Sequence, residues 1–236
     1  MFKVRSGLYE LLDAADIPTA DLHRNLFELD VINRYLGGHR ATLKGLATLQ
    51  LKPNKTYRIL DIGCGGGDTL KAVAIWARAN QLSVTLTGVD LKSDCIAYAK
   101  EHCKNFPEIN LIQSDYRKVI TEDQTFDIIL QSLFCHHLNN DDLVSLIHWG
   151  HTHAKIASLI NDLHRHPFAY YSIKWITKLF SSSYLVKNDA PISVLRGFSK
   201  TDLNHLFATA GIPQTRIYWY WAFRWLCIIP SAHHGN

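Results

Sequence analysis

Acid and glycine alternate in one stretch of this 236-residue chain, at Asp61, Gly63, Gly65 and Gly67. The residues before it, Arg58 to Ile62, are mostly apolar and β-branched, as in a strand covered on both faces. The residues after it, Thr69 to Asn80, carry Leu70, Val73, Ala74 and Ala77 at helical spacing. A strand, a glycine turn and a helix start make a cradle for a nucleotide-like ligand, because the glycines leave no side chain between backbone and ligand. The chemistry is not that of a phosphate loop. No Lys-Ser or Lys-Thr follows the glycines, and Asp68 stands where a dinucleotide fingerprint needs its third glycine. Asp61 and Asp68 together repel a pyrophosphate, whereas Asp61 at a strand end can accept from an ammonium group. The turn suits a ligand with positive charge and an amino-acid moiety. A glycine turn with structural duty alone is the bland alternative.

Further reactive residues sit at the ends of other apolar runs. Ser83–Asp90 ends in an acid one βα unit after the turn, where a carboxylate can accept both ribose hydroxyls of a nucleoside. Asp115 and Tyr116 follow the run Ile109–Gln113. His136 and His137 follow Phe126–Phe134, and His164 and His166 follow Ile156–Asp162. Imidazoles titrate near neutral pH, so His136, His137 or His164 is placed to take a proton from an acceptor hydroxyl. Arg165 could bind an acidic acceptor or pair with Asp162. The His151/His153 and His164/His166 pairs lack acidic or cysteine ligands nearby in sequence, so no metal is expected. Cys64, Cys95, Cys103, Cys135 and Cys227 are odd in number and show no C-x-x-C spacing, which favours reduced thiols.

The Asp61–Gly67 stretch resembles motif I of class I S-adenosylmethionine-dependent methyltransferases, and Asp90 extends the resemblance. It implies S-adenosylmethionine as donor and S-adenosylhomocysteine as product. Asp61, Gly63, Cys64, Gly65 and Gly67 then form the cradle, with Asp90 and Leu91 on the ribose side. Asp115 resembles the family position that accepts from the adenine amino group, and Tyr116 and Gln131 are implied as further donor contacts. The Phe134–Leu138 run, with its double histidine, is similar to small-molecule enzymes related to quinone biosynthesis. The Asn161–Arg165 and Asp189–Phe198 runs resemble methyltransferases found beside polyketide genes. No Asn/Asp-Pro-Pro-aromatic motif follows the fourth strand, which argues against DNA-base and protein-nitrogen acceptors. The resemblance implies O-methylation of a phenolic or polyketide-type hydroxyl on a small, apolar acceptor. C-methylation of a quinol-like ring is the alternative. A non-catalytic S-adenosylmethionine-binding regulator and a nicotinamide-dependent dehydrogenase are rivals from other classes.

These residues need an α/β frame. The strand-like runs named above, with Thr215–Tyr220 and Ala222–Ile229, make seven. The resemblance implies a Rossmann-like, seven-stranded, mostly parallel sheet whose last strand is antiparallel. The chain reads as one methyltransferase domain over 1–236: a helical N-terminal extension (1–54), a nucleoside-binding core (55–166), a cap insertion (167–198), and a closing helix and strands (199–236). In the extension, Leu8, Leu11 and Leu12 form a short helical stripe. Asp21 can cap a helix that Gly37-Gly38 ends, which offers Arg34, beside Asn33 and Tyr35, to the cleft. The insertion, from Phe168 to about Leu185, is aromatic-rich and reads as a helix or helix pair capping the cleft, with Tyr171 and Trp175 shaping an acceptor pocket. Asp189–Phe198 reads as a turn-rich return, and the tail from Pro230 to Asn236 is expected to fray. With 47% hydrophobic residues, a net charge of +4 and no dense basic run, the composition offers nothing to nucleic acid. No apolar run approaches membrane-spanning length, and the charged, amphipathic start is unlike a signal peptide. A cytoplasmic protein acting on a small molecule is expected.

Overall fold

The computed structural model describes residues 1–14, 16–119 and 125–233; residues 234–236, expected to fray, lie outside the described residues. Helices α1 (Thr19–Tyr35) and α2 (Gly38–Thr48) precede the sheet. The core then alternates β1 (Thr56–Ile62), α3 (Asp68–Ala79), β2 (Ser83–Asp90), α4 (Ser93–His102), β3 (Ile109–Gln113), β4 (Phe126–Ser132), α5 (Asn140–His153) and β5 (Ala154–Leu163). Helices α6 (Pro167–Phe180), α7 (Tyr184–Arg196) and α8 (Lys200–Thr209) lead to β6 (Arg216–Tyr220) and β7 (Arg224–Pro230). The strand order is β3-β2-β1-β4-β5-β7-β6, and β7 runs antiparallel to both its neighbours. The seven-stranded, mostly parallel sheet is therefore as the sequence led one to expect. The order reverses between β1 and β4, where ligands of open α/β sheets bind beyond the carboxyl ends of the strands.

Strand alternation sends side chains to two cores. Leu60 and Ile62 of β1 and Ile129 of β4 pack with Leu146, Ile147, Leu203 and Phe207 on the α5–α8 face. Ile59, Ile128 and Leu130 pack with Leu46, Leu70, Val73 and Ala74 on the α2–α3 face. No helix among the described residues is long and apolar enough to cross a membrane.

Local expectations fail at four places. Asp21 does not cap α1; the helix starts at Thr19 behind Pro18, and Asp21 falls in its first turn. Gly37 does separate two helices, but Gly38 opens α2 instead of ending α1. Gly37 sits at φ +77°, and a Cβ there would lie 2.1 Å from the Trp221 carbonyl oxygen. The Leu8–Leu12 stripe yields only a short 3-10 turn over Leu11–Asp13, with Leu8 and Leu11 exposed. The segment read as a turn-rich return is helical, since α7 runs through Pro191. Burial of Leu185, Val186, Val194 and Leu195 on that helix offsets the local penalty of the proline.

Candidate active site

A cavity of about 660 Å³ opens over the carboxyl ends of β1, β2 and β4. Its floor at one end is the glycine turn. Gly63 and Gly65 both have positive φ, at +68° and +50°. A Cβ on Gly63 would lie 2.3 Å from the Phe134 ring, so this position is closed by packing as well as by conformation. Gly63, Cys64, Gly65, Asp90, Leu91, Asp115 and Tyr116 line the cavity, as does Asp61. Gly67 and Gln131 do not. Gly67 has φ +75° and packs on Cys103, completing the turn into α3. Gln131 is fully buried on β4 and donates to Ser158 Oγ at 3.1 Å, so its amide serves the sheet.

The acids of the cradle are arranged unequally. Asp61 is 1% exposed and its Oδ1 has no hydrogen-bond partner among the described residues. Burial, and then the nearby Asp68 and Asp90 carboxylates, push its pKa well above the usual range. Asp68 is satisfied: its Oδ2 accepts from Asn33 Nδ2 and faces His39 Nε2, both at 2.9 Å. Burial works to raise its pKa, but the His39 and Asn33 contacts outweigh it and the net shift is downward. Asp90 ties the turn down, accepting from the backbone N–H of Gly65 at 3.0 Å and of Lys92 at 2.9 Å. Each carboxylate oxygen has a second lone pair, so Asp90 can still accept from a ligand. A buried acid with an unpartnered oxygen, beside a side-chain-free turn, can accept from a cationic amino-acid moiety.

The other end of the cavity is lined by apolar groups of α1, α6 and α7, among them Ile32, Ile173 and Val194, and ends in a polar cluster. His136, 3% exposed, faces Asp162 Oδ1 through Nδ1 at 2.8 Å, and its backbone N–H donates to Asp162 Oδ2 at 3.1 Å. His137 faces Asp13 Oδ1 through Nδ1 at 3.0 Å. Glu10 stands between the two outer ring nitrogens, 3.8 Å from His136 Nε2 and 3.9 Å from His137 Nε2. Burial raises the Glu10 carboxyl to about 7, against the pull of His137 and Arg196. Burial also acts to raise Asp13, but His137 and Arg196 more than compensate and hold it at about 2. A carboxylate on each Nδ1 fixes both rings and turns each Nε2 toward the cluster, the arrangement that orients an imidazole base.

Glu10 and Asp13 reach the cavity because the N-terminal segment is strapped over it. Asp189 accepts from the backbone N–H groups of Leu11 and Leu12, both at 2.8 Å, and Lys92 Nζ donates to the Ala14 carbonyl at 2.8 Å. Arg5 and Arg196 extend the strap by donating to the backbone carbonyls of Leu138 and His137. Sequence reasoning missed Glu10 and Asp13, since nothing in an isolated acid near Leu11 and Leu12 signals a distant histidine. Asp162 had a readable signal, an acid at the carboxyl end of β5, the strand next to β4.

The remaining sequence-derived residues lie away from the cavity wall. His164 stands beside Trp225 and His166, and its Nδ1 accepts from Trp219 Nε1 at 3.2 Å. Burial, then His166 and Arg165, lower its pKa to about 4. Arg165 is 4% exposed and structural: it donates to the Phe2 and Gly197 carbonyls and pairs with Asp202 at 2.7 Å, in place of an acidic acceptor or Asp162. Arg34 is largely exposed and pairs with Asp30 one helical turn away, while its neighbour Asn33 lines the cavity. Tyr171 and Trp175 fall on the outer face of α6, half or more exposed. The inner face, with Phe168, Ala169 and Ile173, lines the cavity, because an α-helix turns about 100° per residue.

Residues 59–155 match the family model of a methyltransferase domain. The match runs from β1 into the start of β5, the part of the sheet that carries the glycine turn. Among curated relatives, it is 30% identical over 95 residues to the ubiquinone biosynthesis O-methyltransferase of Pelagibacter ubique, covering 39% of this chain and 35% of the relative. The enzyme of the same name from Rhizobium leguminosarum is 34% identical over 92 residues, covering 37% and 32%. The chain thus spans about a third of the length of these relatives. Among solved structures, the plantazolicin methyltransferase in complex with S-adenosylhomocysteine superposes with a TM-score of 0.62 at 17% identity, over 90% of this chain and 95% of the other. A methyltransferase from Aquifex aeolicus gives 0.60 at 16% identity, over 91% and 98%.

Proposed function

We propose that the chain transfers a methyl group from S-adenosylmethionine to a hydroxyl of a small, largely apolar acceptor of phenolic or polyketide type. One observation carries this reading: a single cavity joins the Asp61–Gly65 cradle to an apolar chamber that ends on His136, His137 and Glu10. The names of the curated relatives, O-methyltransferases of ubiquinone biosynthesis, support oxygen as the acceptor atom. When bound, S-adenosylmethionine supplies a methyl group on a positively charged sulfur that leaves as a neutral thioether. Asp61 would accept from its ammonium group, Asp90 from its ribose hydroxyls and Asp115 from its adenine amino group. Asp162 holds His136 so that Nε2 could take the acceptor's hydroxyl proton during transfer. The positive charge lost at sulfur reappears on the imidazolium, beside Asp162 and Glu10. Holding the reactants together in an apolar-lined chamber would supply the rest.

The test is a screen with radiolabelled S-adenosylmethionine against phenols, quinols, acids and amines, followed by His136→Ala on the best acceptor. Label on oxygen, with a loss of about a hundredfold or more in rate and unchanged S-adenosylhomocysteine affinity, is the expected result. Label on a ring carbon would replace oxygen by carbon as the acceptor atom. Tight S-adenosylhomocysteine binding with no transfer to any class would make the protein a donor-binding regulator.

A further inference from the structure

Arg224 opens β7 and lines the cavity at the border between the donor and acceptor ends, yet it is 3% exposed. Its guanidinium makes one hydrogen bond, from Nη2 to Asn33 Oδ1 at 3.3 Å. Nε and Nη1 are buried and have no partner among the described residues. Asp68 and Asp162 feel its charge without bonding it; both carboxylates are engaged elsewhere, by Asn33 and by His136. A buried guanidinium with unmet N–H groups is costly to a fold, and proteins avoid one unless a charge or ligand completes it. The other buried arginine among the described residues is satisfied: Arg165 has two backbone carbonyls and Asp202.

We propose that Arg224 binds a carboxylate group of a ligand in this cavity. The rigid planar fork matches the two oxygens of a carboxylate. The nearby acids Asp162 and Asp68 oppose a doubly charged phosphate far more than a single, delocalised charge. Two ligands of the proposed reaction can supply that chemistry. One is the amino-acid carboxylate of the donor, which would give its zwitterion two buried counterparts with unmet polar atoms: Asp61 Oδ1 for the ammonium, and Arg224 Nε and Nη1 for the carboxylate. The other is an acid group on the acceptor, since Phe223, Leu163 and Ile173 of the apolar chamber line the same cavity. The inference rests on the methyltransferase reading and sharpens it, because an acid-bearing acceptor defines a narrower substrate class than a phenol.

Arg224→Met and Arg224→Lys separate the sources. Calorimetry is run with S-adenosylhomocysteine, with 5′-methylthioadenosine, which lacks the amino-acid portion, and, in the presence of S-adenosylhomocysteine, with an alkyl-substituted hydroxybenzoate and its matching phenol. A donor carboxylate is assigned if Arg224→Met weakens S-adenosylhomocysteine by about 10- to 100-fold and leaves 5′-methylthioadenosine unchanged. An acceptor carboxylate is assigned if S-adenosylhomocysteine is unaffected while the hydroxybenzoate loses a similar factor and the phenol does not. Arg224→Lys, which keeps the charge and loses the fork, should fall between the parent and Arg224→Met, and it carries the test if the methionine variant fails to fold. Unchanged affinity for all four probes overturns the proposal. If the parent protein itself fails to bind S-adenosylhomocysteine, the methyltransferase reading falls instead, so the two failures are distinguishable.

Discussion

Replacing Asp61 by Asn should move stability and ligand affinity in opposite directions. Asp61 is buried with an unmet oxygen, and its folded-state pKa lies above the unfolded value of 3.8 because of burial and then of Asp68 and Asp90. Between those two values the native chain holds a proton that the unfolded chain has released. Stability therefore falls as pH rises from the unfolded value through the folded one, and above that the penalty is complete. Asn carries no charge, and its amide N–H groups can donate to the neighbouring acids. Relief of an unsatisfied buried charge is worth about 1–3 kcal/mol, and a domain of this size gains roughly 2–4 °C in Tm per kcal/mol. Against this stands the ligand. An ammonium group about 4 Å from Asp61 gains at most about 4 kcal/mol at an effective dielectric near 20. Desolvation of the ammonium reduces this to the ~1.5–3 kcal/mol typical of a charge-assisted hydrogen bond, or about 10- to 150-fold in Kd. Thermal melts and S-adenosylhomocysteine calorimetry on parent and variant measure both effects. Calorimetry in buffers of different ionisation enthalpy should also show proton release on binding to the parent, and none to the variant. A Tm that falls, or an affinity within roughly threefold of the parent, would refute the assignment of Asp61 as a strained acid waiting for a cation.

Gly63→Ala should lower stability by about 1–3 kcal/mol, read from denaturant midpoints, because its Cβ would meet the Phe134 ring at a positive φ. His164 has a folded pKa of about 4, below its unfolded value of 6.5, so it favours the native state while neutral. That contribution is complete above pH 6.5 and is lost as pH falls toward 4; melts across this window should show a loss that His164→Phe lacks. Glu10, raised to about 7, should give the methyl-transfer rate an inflection near that pH, rising as the carboxylate forms and steadies the imidazolium; Glu10→Gln should abolish the inflection in a kcat–pH profile. Arg165→Met removes a buried charge together with its support for the Phe2 carbonyl and Asp202, so it should free the N-terminal segment to limited proteolysis while S-adenosylhomocysteine affinity holds.

The glycine-turn end of the cavity was legible in the sequence because its information is local. A glycine at positive φ, an acid ending an apolar run and a helix that follows at once are constraints within a dozen residues, and they fix the turn before anything packs on it. Seven apolar runs separated by helical spacing likewise set the sheet, since a strand covered on both faces has few other uses. The opposite end was decided by tertiary structure. His136 and His137 could be named from their place after β4, but their carboxylates come from Asp162 on another strand and from Asp13 and Glu10 at the far N-terminus. Helix phase put Tyr171 and Trp175 outside, and a strap of backbone contacts made Arg165 structural. Whether Asp189–Phe198 was turn or helix depended on burial of Leu185, Val186, Val194 and Leu195, which local propensity does not contain. Arg224 shows the limit best: an arginine at the start of an apolar strand reads as a surface residue, and only the packed chain takes its charge out of water and leaves Nε and Nη1 without a partner among the described residues.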